Sequence, residues 1–537
     1  MAGTAGVGAP SGAICVGSRR SALLRALLLL LLAAPALAAT SLHRTIAAEP
    51  TSLDPTLGSG TLAAPVLSDL TEGLVGRGPS KLPEAAAAES WTVAPDGLAW
   101  TFRLRPGLVW SDGVPLTAGD FAYAYRRLLD PATGARSAGL FLFLRNARAV
   151  MQGRLPPEAL GVRATDDRTL VLELEYPVPY LLQVLANTQG APVPRHVVER
   201  VGRDWTRPGN LVVNGPYLLA GRVPQEYVRL VRNPRYREAA GVRIDEVIWH
   251  VVPDLGTAFR RFRAGEIDVV LNLAPEDLDW VRQNQPDVLH GGPMHATWLL
   301  ALNLSRKPLD DVRVRRALSL AIDRDAIAYQ LLKTGVRPAW SLVSPGIGGY
   351  PGLRTAEEGL APAARQAEAR RLLAAAGFGP DRPLVLPVVY DTQEENRQIM
   401  VAVAAMWQAI GVRAEVSNLE AGALVGLLRA GNFAVARSSA FSLYEDPMAL
   451  LQHYGSQSPT NWAGWRDARY DELLQQSNLA AGPGRMRLFE EAEAVLNAAQ
   501  PVIPIYYYQG KSLVSARVKG WWDGAIGTPP SRFLEVQ

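Results

Sequence analysis

The stretch Leu384–Ser438, LVLPVVYDTQEENRQIMVAVAAMWQAIGVRAEVSNLEAGALVGLLRAGNFAVARS, alternates two kinds of pattern. Short apolar runs typical of buried strands occupy residues 384–390, 412–416 and 433–438. Segments of helical length lie between them, at 396–410 and 423–430. A glycine follows each helical segment, which favours a left-handed C-terminal cap. Because parallel strands need such crossover helices, the stretch predicts a β-α-β-α-β unit and a parallel sheet within an α/β fold.

The end of the last predicted strand is a candidate binding position. In open α/β sheets, ligands bind beyond the carboxyl ends of the strands. This strand ends with Arg437, Ser438 and Ser439, so chain geometry alone selects the tripeptide. An arginine there can pair with a ligand carboxylate through two hydrogen bonds. An ordinary surface arginine explains the same residue equally well.

The first half of the chain has a different pattern. Apolar and polar residues alternate at 98–105 and again at 170–176, which predicts half-buried strands. Turn sequences such as Pro95-Asp96-Gly97 punctuate this part of the chain. With 537 residues, the chain is too long for one hydrophobic core, so two or three lobes are expected.

The N-terminus has the order of a secretory signal peptide. Three arginines within residues 19–25 precede a leucine-rich run, and small residues follow it. The apolar stretch is about 14 residues long, shorter than the roughly 20 that span a bilayer. Export with cleavage near Ala38 or Ala39 is therefore predicted. The Arg19-Arg20 pair leaves the choice between general and twin-arginine export open.

The single cysteine, Cys15, precedes the apolar run and is absent from the predicted mature chain. Its removal excludes disulfides, thiol catalysis and cysteine metal sites from that chain. It also excludes a lipid anchor, which needs a cysteine just after the apolar run. Because a binding protein without an anchor would diffuse away from a cell with one membrane, a periplasmic location is expected.

Charge and motifs exclude several classes of function. The 55 basic and 51 acidic residues nearly cancel, and no basic tract indicates a nucleic-acid partner. The sequence has neither a G-x-x-x-x-G-K-[ST] phosphate loop nor a G-x-S-x-G nucleophile elbow. Of six histidines, only His290 and His295 are close, and no helix would align them for a metal. We therefore expect no catalytic residue, metal, cofactor or enzymatic activity.

A longer resemblance runs through the chain. Residues 89–131, ESWTVAPDGLAWTFRLRPGLVWSDGVPLTAGDFAYAYRRLLDP, closely resemble the oligopeptide-binding solute-binding proteins of ABC importers, extracellular solute-binding protein family 5. Three further segments resemble the same family in the same order. They are EPTSLDP at 49–55, NGPYLLAGRVPQEYVRLVRNPRY at 214–236 and LNLSRKPLDDVRVRRALSLAIDRDAI at 302–327.

The resemblance implies a bilobal, type II periplasmic-binding-protein-like α/β fold with an extra small domain, which closes over its ligand by a hinge. The chain is expected to cross between the lobes at 299–303 and at 499–507. The implied domains are a signal peptide at 1–39, lobe I at 40–77, 204–299 and 504–537, a small domain at 78–203, and lobe II at 300–503. The resemblance also implies a monomer that meets permease subunits at the inner membrane.

The resemblance carries over several binding positions. Residues 59–61 match a loop beside the ligand backbone, and Asn272 matches a polar contact. Trp298 lies in the aromatic hinge segment, and Arg437 matches an arginine that can meet a ligand carboxylate. Aromatic residues in loops, such as Trp465, favour a cleft with flat, amphipathic walls. The expected ligand-binding residues are Ser59, Gly60, Thr61, Asn272, Trp298, Arg437, Ser438, Ser439, Tyr444, Glu445, Asp446 and Trp465.

One position departs from the family pattern. Peptide-binding members place an aspartate just before a Tyr-x-x-Pro segment, where it holds the amino terminus of the peptide. Leu443 occupies that position here. Since a buried ammonium without a countercharge is costly, either Glu445 or Asp446 replaces the aspartate, or the ligand has no free α-amine.

Several hypotheses about function follow. The first is peptide uptake, with the protein as the periplasmic solute-binding component of an importer. The alternative is the same transport role for a glycoside, an opine or a modified peptide, which Leu443 favours. Two further hypotheses are a secreted hydrolase, which would turn over a chromogenic substrate, and a sensor or chaperone, whose gene neighbourhood would lack permease and ATPase genes.

Overall fold

The computed structural model describes residues 3, 6, 8, 39–58, 60–524 and 526–537. The predicted signal peptide and Cys15 lie outside the described residues, so export and cleavage stay predictions. Residues Ser41–Gln537 form one compact unit. Among the described residues, no helix combines the length and the apolar character that crossing a bilayer requires.

The strands, numbered along the chain, form three main sheets and two short pairs. They are β1 (Ser41–Ile46), β2 (Val75–Arg77), β3 (Pro83–Ala85), β4 (Ala88–Val93), β5 (Ala99–Leu104), β6 (Val162–Asp166), β7 (Thr169–Glu173), β8 (Tyr217–Val223), β9 (Tyr227–Arg232), β10 (Glu246–Val251), β11 (Val269–Val270), β12 (Leu289–His290), β13 (Pro293–Leu302), β14 (Arg337–Pro338), β15 (Leu384–Asp391), β16 (Val412–Leu419), β17 (Val435–Phe441), β18 (Val502–Gln509), β19 (Ser512–Val514), β20 (Val518–Lys519) and β21 (Glu535–Val536).

Helices connect and cover these sheets. The α-helices of the described residues span Gly60–Leu70, Ala118–Leu129, Ala147–Met151, Leu181–Leu185, Arg195–Val201, Leu255–Arg263, Pro275–Asn284, Val312–Ala321, Pro362–Ala375, Glu394–Gln408, Ala421–Arg429, Met448–Leu451, Ala468–Leu479 and Gly482–Ala499.

A seven-stranded sheet with the order β12-β19-β11-β1-β10-β9-β8 is the centre of what we call lobe I. In it, β1 runs parallel to β10 and β11, and the other pairs are antiparallel. Its core includes Leu42, Val247 and Trp249, none of which is exposed to solvent. β1, near residue 41, and β19, near residue 513, therefore meet in one lobe although they are far apart in the chain.

A four-stranded antiparallel sheet, β4-β5-β7-β6, is the centre of the small domain. The predicted alternation is confirmed for residues 99–104, where Phe102 is fully buried. The prediction for 170–176 is confirmed only in part, because β7 ends at Glu173 and Tyr176 is 39% exposed. The helix Ala118–Leu129 packs on this sheet. Thr117 and Asp120 form a capping box at its N-terminus, which satisfies two backbone N–H groups that the helix leaves free.

A six-stranded sheet, β14-β18-β13-β17-β15-β16, is the centre of lobe II. β15 runs parallel to β16 and to β17, which confirms the predicted β-α-β-α-β unit. β13 is antiparallel to β17 and β18, so the sheet is mixed. β17 continues to Phe441, beyond its predicted end near Ser439, because residues 437–441 pair with β13. Local periodicity carries no information about that distant partner.

The two passages between the large sheets lie side by side. Gly291 and Gly292 separate β12 from β13, and Gly510 and Lys511 separate β18 from β19. The N–H of Gly510 donates to the carbonyl of Gly292 at 2.9 Å. Both passages are therefore short and joined by a backbone hydrogen bond.

The predicted crossings at 299–303 and 499–507 differ from this arrangement. Most of those residues belong to β13 and β18, which pair with each other inside lobe II. The two segments that the resemblance implied to be crossings are instead paired strands inside a sheet. We propose that the chain leaves lobe I at 291–292 and returns at 510–511, with the other predicted domain limits unchanged.

Candidate functional site

Arg437 lies on β17, next to the point where the neighbouring strand β15 ends. β17 continues beyond that point. Nη1 of Arg437 is 3.1 Å from a carboxylate oxygen of Asp391, the last residue of β15. Its Nη2 donates to the hydroxyl of Tyr508 at 3.0 Å. The side chain keeps 17% of its surface exposed. The structure thus places an arginine at the carboxyl end of parallel strands, the position that strand order predicts for ligands.

A buried network of hydrogen bonds supports the side chain of Arg437. Asn396 donates to Asp391 at 2.6 Å and accepts from the indole N–H of Trp298 at 2.8 Å. The guanidinium of Arg437 lies 5.7 Å from the centre of the Trp298 ring, within range of a cation–π attraction. These contacts orient the carboxylate of Asp391 and hold the guanidinium of Arg437 beside it.

Trp298 belongs to this support and offers no surface to a ligand. It is 0% exposed and stacks on Tyr506 with ring centres 5.9 Å apart. The expectation that it contacts ligand directly is not met in this conformation. The reason is that Trp298 lies on β13, a central strand, and on the face of that strand that packs into the core of lobe II.

The edge of β17 beyond Arg437 is open. β15 pairs with β17 only at Val435 and Ala436, so residues 437–441 have β13 as their one strand partner among the described residues. The N–H of Ser442 donates to the carbonyl of His295, within β13, at 2.8 Å. Because antiparallel ladders alternate, Ser439 and Phe441 direct their backbone groups away from β13. The edge can therefore accept a further extended chain.

The segment after β17 places its tyrosine and its aspartate inside the protein. Tyr444 is 1% exposed and stacks on Tyr180 of the small domain, with ring centres 4.8 Å apart. Asp446 accepts from both terminal nitrogens of the buried Arg485, at 3.0 Å for the second. Asp446 is thus not free to meet a ligand ammonium, and that part of the expectation is not met. Leu443 is 40% exposed.

Glu445 faces an imidazole and a guanidinium. Its Oε2 lies 2.8 Å from Nε2 of His295. Burial lowers the pKa of Arg77, at the end of β2, and the carboxylate of Glu445 opposes that shift. Glu445 therefore links lobe II electrostatically to the strand pair that leads into the small domain.

The other predicted residues are placed as follows. Ser59 lies outside the described residues, as does the side chain of Thr61. Gly60 begins the helix Gly60–Leu70 with a φ of +77°, a conformation that glycine adopts easily. Asn272 is exposed just after β11. Trp465 is 7% exposed and packs edge-on against Tyr470, so it is a core residue.

A second cation, Lys511, lies within electrostatic range of Glu395. Burial lowers the pKa of Lys511, and the carboxylate of Glu395 opposes the shift. Glu395 also accepts from the hydroxyl of Tyr506 at 2.8 Å. Glu395 and Arg437 both act electrostatically on Tyr506 and Tyr508, so the carboxylates of Asp391 and Glu395 belong to the surroundings of the arginine. Within the described residues, no group of histidine, cysteine, aspartate and glutamate could hold a metal ion.

Sequence reasoning did not select Asp391 or Tyr508. Asp391 follows directly on the predicted strand 384–390, so the same strand-end argument that selected Arg437 could have found it. Tyr508 had only the general signal of an aromatic run at 506–508, because it reaches Arg437 from β18 across the sheet.

Two lobes joined by paired crossings, with an arginine and an open strand edge in the second, define a bilobal solute-binding protein. The chain belongs to the bacterial extracellular solute-binding proteins, family 5, whose model for the middle region matches residues 83–462.

Individual relatives match almost the whole chain. The periplasmic oligopeptide-binding protein OppA of Salmonella typhimurium is 34% identical over 503 residues, 93% of this chain and 92% of that protein. The Probable deoxycholate-binding periplasmic protein YgiS of Escherichia coli is 34% identical over 478 residues, 88% of this chain and 89% of that protein.

Solved structures have the same fold. The murein tripeptide binding protein MppA of Escherichia coli gives a TM-score of 0.84 at 33% identity, over 93% of this chain and 99% of that chain. The unliganded open form of MppA gives a lower TM-score of 0.75, at the same identity and over 93% of this chain and 98% of that chain. The arrangement of the lobes is therefore closer to the first structure than to the open form.

Proposed function

We propose that the protein is the periplasmic solute-binding component of an ABC importer, and that it captures peptides and delivers them to the membrane permease. The open edge of β17 beside Arg437 carries this proposal. An extended peptide adds to such an edge through main-chain hydrogen bonds, which do not depend on its side chains. The peptide ligands named for OppA and MppA support the same reading.

Arg437 anchors a carboxylate of the ligand. The exposed part of its side chain is the surface that the carboxylate reaches, and the guanidinium geometry suits two parallel hydrogen bonds. The buried Nε of Arg437 has no hydrogen-bond partner within the described residues. The guanidinium of Arg437 thus makes fewer hydrogen bonds within the protein than it could. An unpaired buried donor is costly, so a hydrogen bond from a ligand would be favourable here.

Ligand binding shifts the lobes toward a closed arrangement. The Tyr180–Tyr444 stack and the attraction between Arg77 and Glu445 connect the small domain and its leading strands to lobe II. The lower TM-score against the open form of MppA supports a closed arrangement here. A ligand that contacts both lobes stabilises this state, which a permease can recognise.

The proposal extends to location and assembly. The mature chain is a periplasmic monomer without a lipid anchor, without a nucleic-acid partner and without enzymatic activity. Ser59, Gly60, Thr61 and Asn272 are its ligand contacts in lobe I. Edman sequencing of secreted protein locates the cleavage site, and light scattering during size-exclusion chromatography measures the mass in solution.

Native mass spectrometry tests the proposed ligand class. Protein purified without denaturation should carry peptides, and the stripped protein should bind a tripeptide library in calorimetry. If neither a co-purifying peptide nor any heat of tripeptide binding is found, the peptide proposal is wrong.

A second candidate is the same transport role for a solute without a free α-amine, such as an N-blocked peptide, an opine or a glycoside. Leu443 is exposed where the family has an aspartate, Asp446 is bound to Arg485, and Glu445 is paired with His295. A free ammonium would therefore lack a countercharge at this end. The name of YgiS, a probable deoxycholate-binding protein, supports the choice of a ligand other than a peptide as the second candidate.

Leu443→Asp distinguishes the two candidates. If the wild-type ligand has no free amine, the variant should gain about tenfold in affinity for a free tripeptide relative to its N-acetylated form, since one charged hydrogen bond contributes about 1.5–3 kcal/mol. Leu443→Asn, which has a similar shape and no charge, is the control. Equal selectivity in both variants would mean that the ammonium is bound elsewhere.

A further inference from the structure

A groove of about 600 Å³ lies along one helix of the small domain. Residues 119, 122, 123, 126 and 127 of the helix Ala118–Leu129 line it, as does Asp130 directly after the helix. This spacing of three and four places them on one face of the helix. The volume is within the range of sites for small organic molecules. No residue assigned above to the peptide site lines the groove.

Four arginines line the groove, and three of them already have an acidic partner. The pairs are Arg127 with Asp54 at 2.6 Å, Arg163 with Glu173 at 3.5 Å and Arg195 with Glu199 at 2.8 Å.

Arg126 is the fourth arginine, and no carboxylate of the described residues forms an ion pair with it. Its Nη2 donates to the carbonyl of Val162 at 2.9 Å. Its Nε is buried and has no hydrogen-bond partner within the same part of the chain. Because an unpaired buried donor is costly, Arg126 lines the groove as a cation that the chain itself satisfies only in part.

A carboxylate without a cationic partner lies one helical turn after Arg126. The N–H of Asp130 donates to the carbonyl of Arg126 at 2.9 Å, which fixes the two residues as helical neighbours. The side chain of Asp130 accepts from the N–H of Ala132 at 2.9 Å, and it pairs with no cation of the described chain. Since residues four apart on a helix have Cβ atoms about 5–6 Å apart, a cation and a carboxylate lie side by side on one wall without pairing.

We propose that this groove is a second solute site, separate from the peptide site, and that it binds a free α-amino acid. Such a molecule carries a carboxylate and an ammonium on the same carbon atom at neutral pH. Its carboxylate accepts from Arg126 and its ammonium donates to Asp130, so one ligand supplies a charged hydrogen bond to each. A simple anion would meet Arg126 alone and would be repelled by Asp130 and by Glu158, a second carboxylate that lines the groove.

Calorimetry on the wild-type protein tests the ligand class. The chain is titrated with the common L-amino acids one at a time, and at least one should bind saturably. The N-acetyl form and the methyl ester of the tightest ligand should each bind at least about tenfold more weakly, because each lacks one of the two charges. If no amino acid binds, or if either derivative binds as tightly as the amino acid, the proposal is overturned.

Two variants locate the binding in the groove. Arg126→Gln and Asp130→Asn each remove one charge and keep a hydrogen-bonding side chain, so each should lower the affinity for the amino acid at least about tenfold. Unchanged affinity in both variants would place the amino acid elsewhere and overturn the site.

The matched controls are Arg154→Gln and Asp96→Asn, in exposed residues of the small domain that do not line the groove. Asp96 accepts from the N–H of Leu98, two residues on, at 2.9 Å, just as Asp130 does from Ala132. Both controls should bind the amino acid as the wild type does. A loss in the controls equal to that in the groove variants would overturn the site.

Trialanine separates this inference from the proposed function. Its affinity should stay within about twofold in Arg126→Gln and Asp130→Asn, which also shows that the variants are folded. If trialanine and every other peptide fail to bind the wild type while the amino acid binds, the proposed function is wrong and the groove site is retained. Should Arg126→Gln not fold, Asp130→Asn and the two ligand derivatives still decide the outcome.

Discussion

At the scale of single residues, Arg437 determines whether the site prefers ligands that carry a carboxylate. We expect Arg437→Ala to weaken binding of a peptide with a free C-terminus by about 1.5–3 kcal/mol, the contribution of a charged hydrogen bond. The amide of the same peptide should lose less. Calorimetry with both forms measures the difference.

The matched control is Arg429→Ala. Arg429 is exposed at the end of the helix Ala421–Arg429 and lies in the same β-α-β unit. Its removal should leave both affinities unchanged. A loss that is equal for the acid and the amide in Arg437→Ala would show that Arg437 supports the fold of the site and does not bind the carboxylate.

The buried pair of Asp446 and Arg485 is a residue-scale determinant of stability. Asp446→Asn leaves a buried guanidinium without its charge partner, which costs about 3–5 kcal/mol in the free energy of unfolding. Urea unfolding followed by fluorescence measures it. Glu368→Gln, in an exposed pair with Arg371, should change stability by less than about 1 kcal/mol. Similar losses in both variants would contradict the special role of burial.

At the scale of elements, Glu493 ties the helix Gly482–Ala499 to the segment 341–350. Its carboxylate accepts from the N–H of Val343 and from the hydroxyl of Tyr350, both at 2.6 Å. Burial raises its pKa from 4.5 to about 7, although these hydrogen bonds favour the charged form. Burial therefore has the larger effect on the pKa of Glu493.

This shift predicts a pH dependence of stability. Between about pH 4.5 and 7 the folded chain holds a proton on Glu493 that the unfolded chain has lost. The contribution of this group to stability therefore falls as the pH rises through that window. Urea unfolding at several pH values should show a weaker fall between pH 5 and 7 in Glu493→Gln than in the wild type. Parallel curves would mean that Glu493 is ionised throughout.

At the scale of the whole molecule, the paired crossings at 291–292 and 510–511 connect the two lobes. Gly291 has a φ of +148°, and a Cβ there would lie 2.0 Å from the carbonyl oxygen of Gly510. Gly291→Ala should therefore lower the free energy of unfolding by about 1–3 kcal/mol, the cost of a strained backbone. X-ray scattering should also show that the change in compaction on adding ligand differs between Gly291→Ala and the wild type.

Gly292→Ala is the control for that crossing. A Cβ at Gly292 would meet no atom within 4 Å, and its φ is not in the left-handed region. Stability and ligand-induced compaction should stay as in the wild type. If both variants behave alike, the close approach of Gly291 to Gly510 does not constrain the connection between the lobes.

Much of this molecule could be predicted from local sequence. The β-α-β-α-β unit around Arg437 follows from apolar runs and glycine stops, because both patterns reflect neighbours a few residues apart. The candidate arginine followed from the end of a strand. Trp298, Tyr444, Asp446 and Trp465 were selected as ligand contacts, yet each is buried, because a residue's type does not tell which face of a sheet or segment meets the core.

By itself, the sequence determined the class of fold, the parallel unit of lobe II and the end of the strand where the arginine lies. Only the tertiary structure decided that β13 and β18 belong to lobe II, that β17 has an open edge beyond β15, and that Asp446 is already bound by Arg485. The physical reason is that strand pairing, burial and ion pairing join residues that are far apart in the chain, whereas periodicity and capping depend on residues that are near one another.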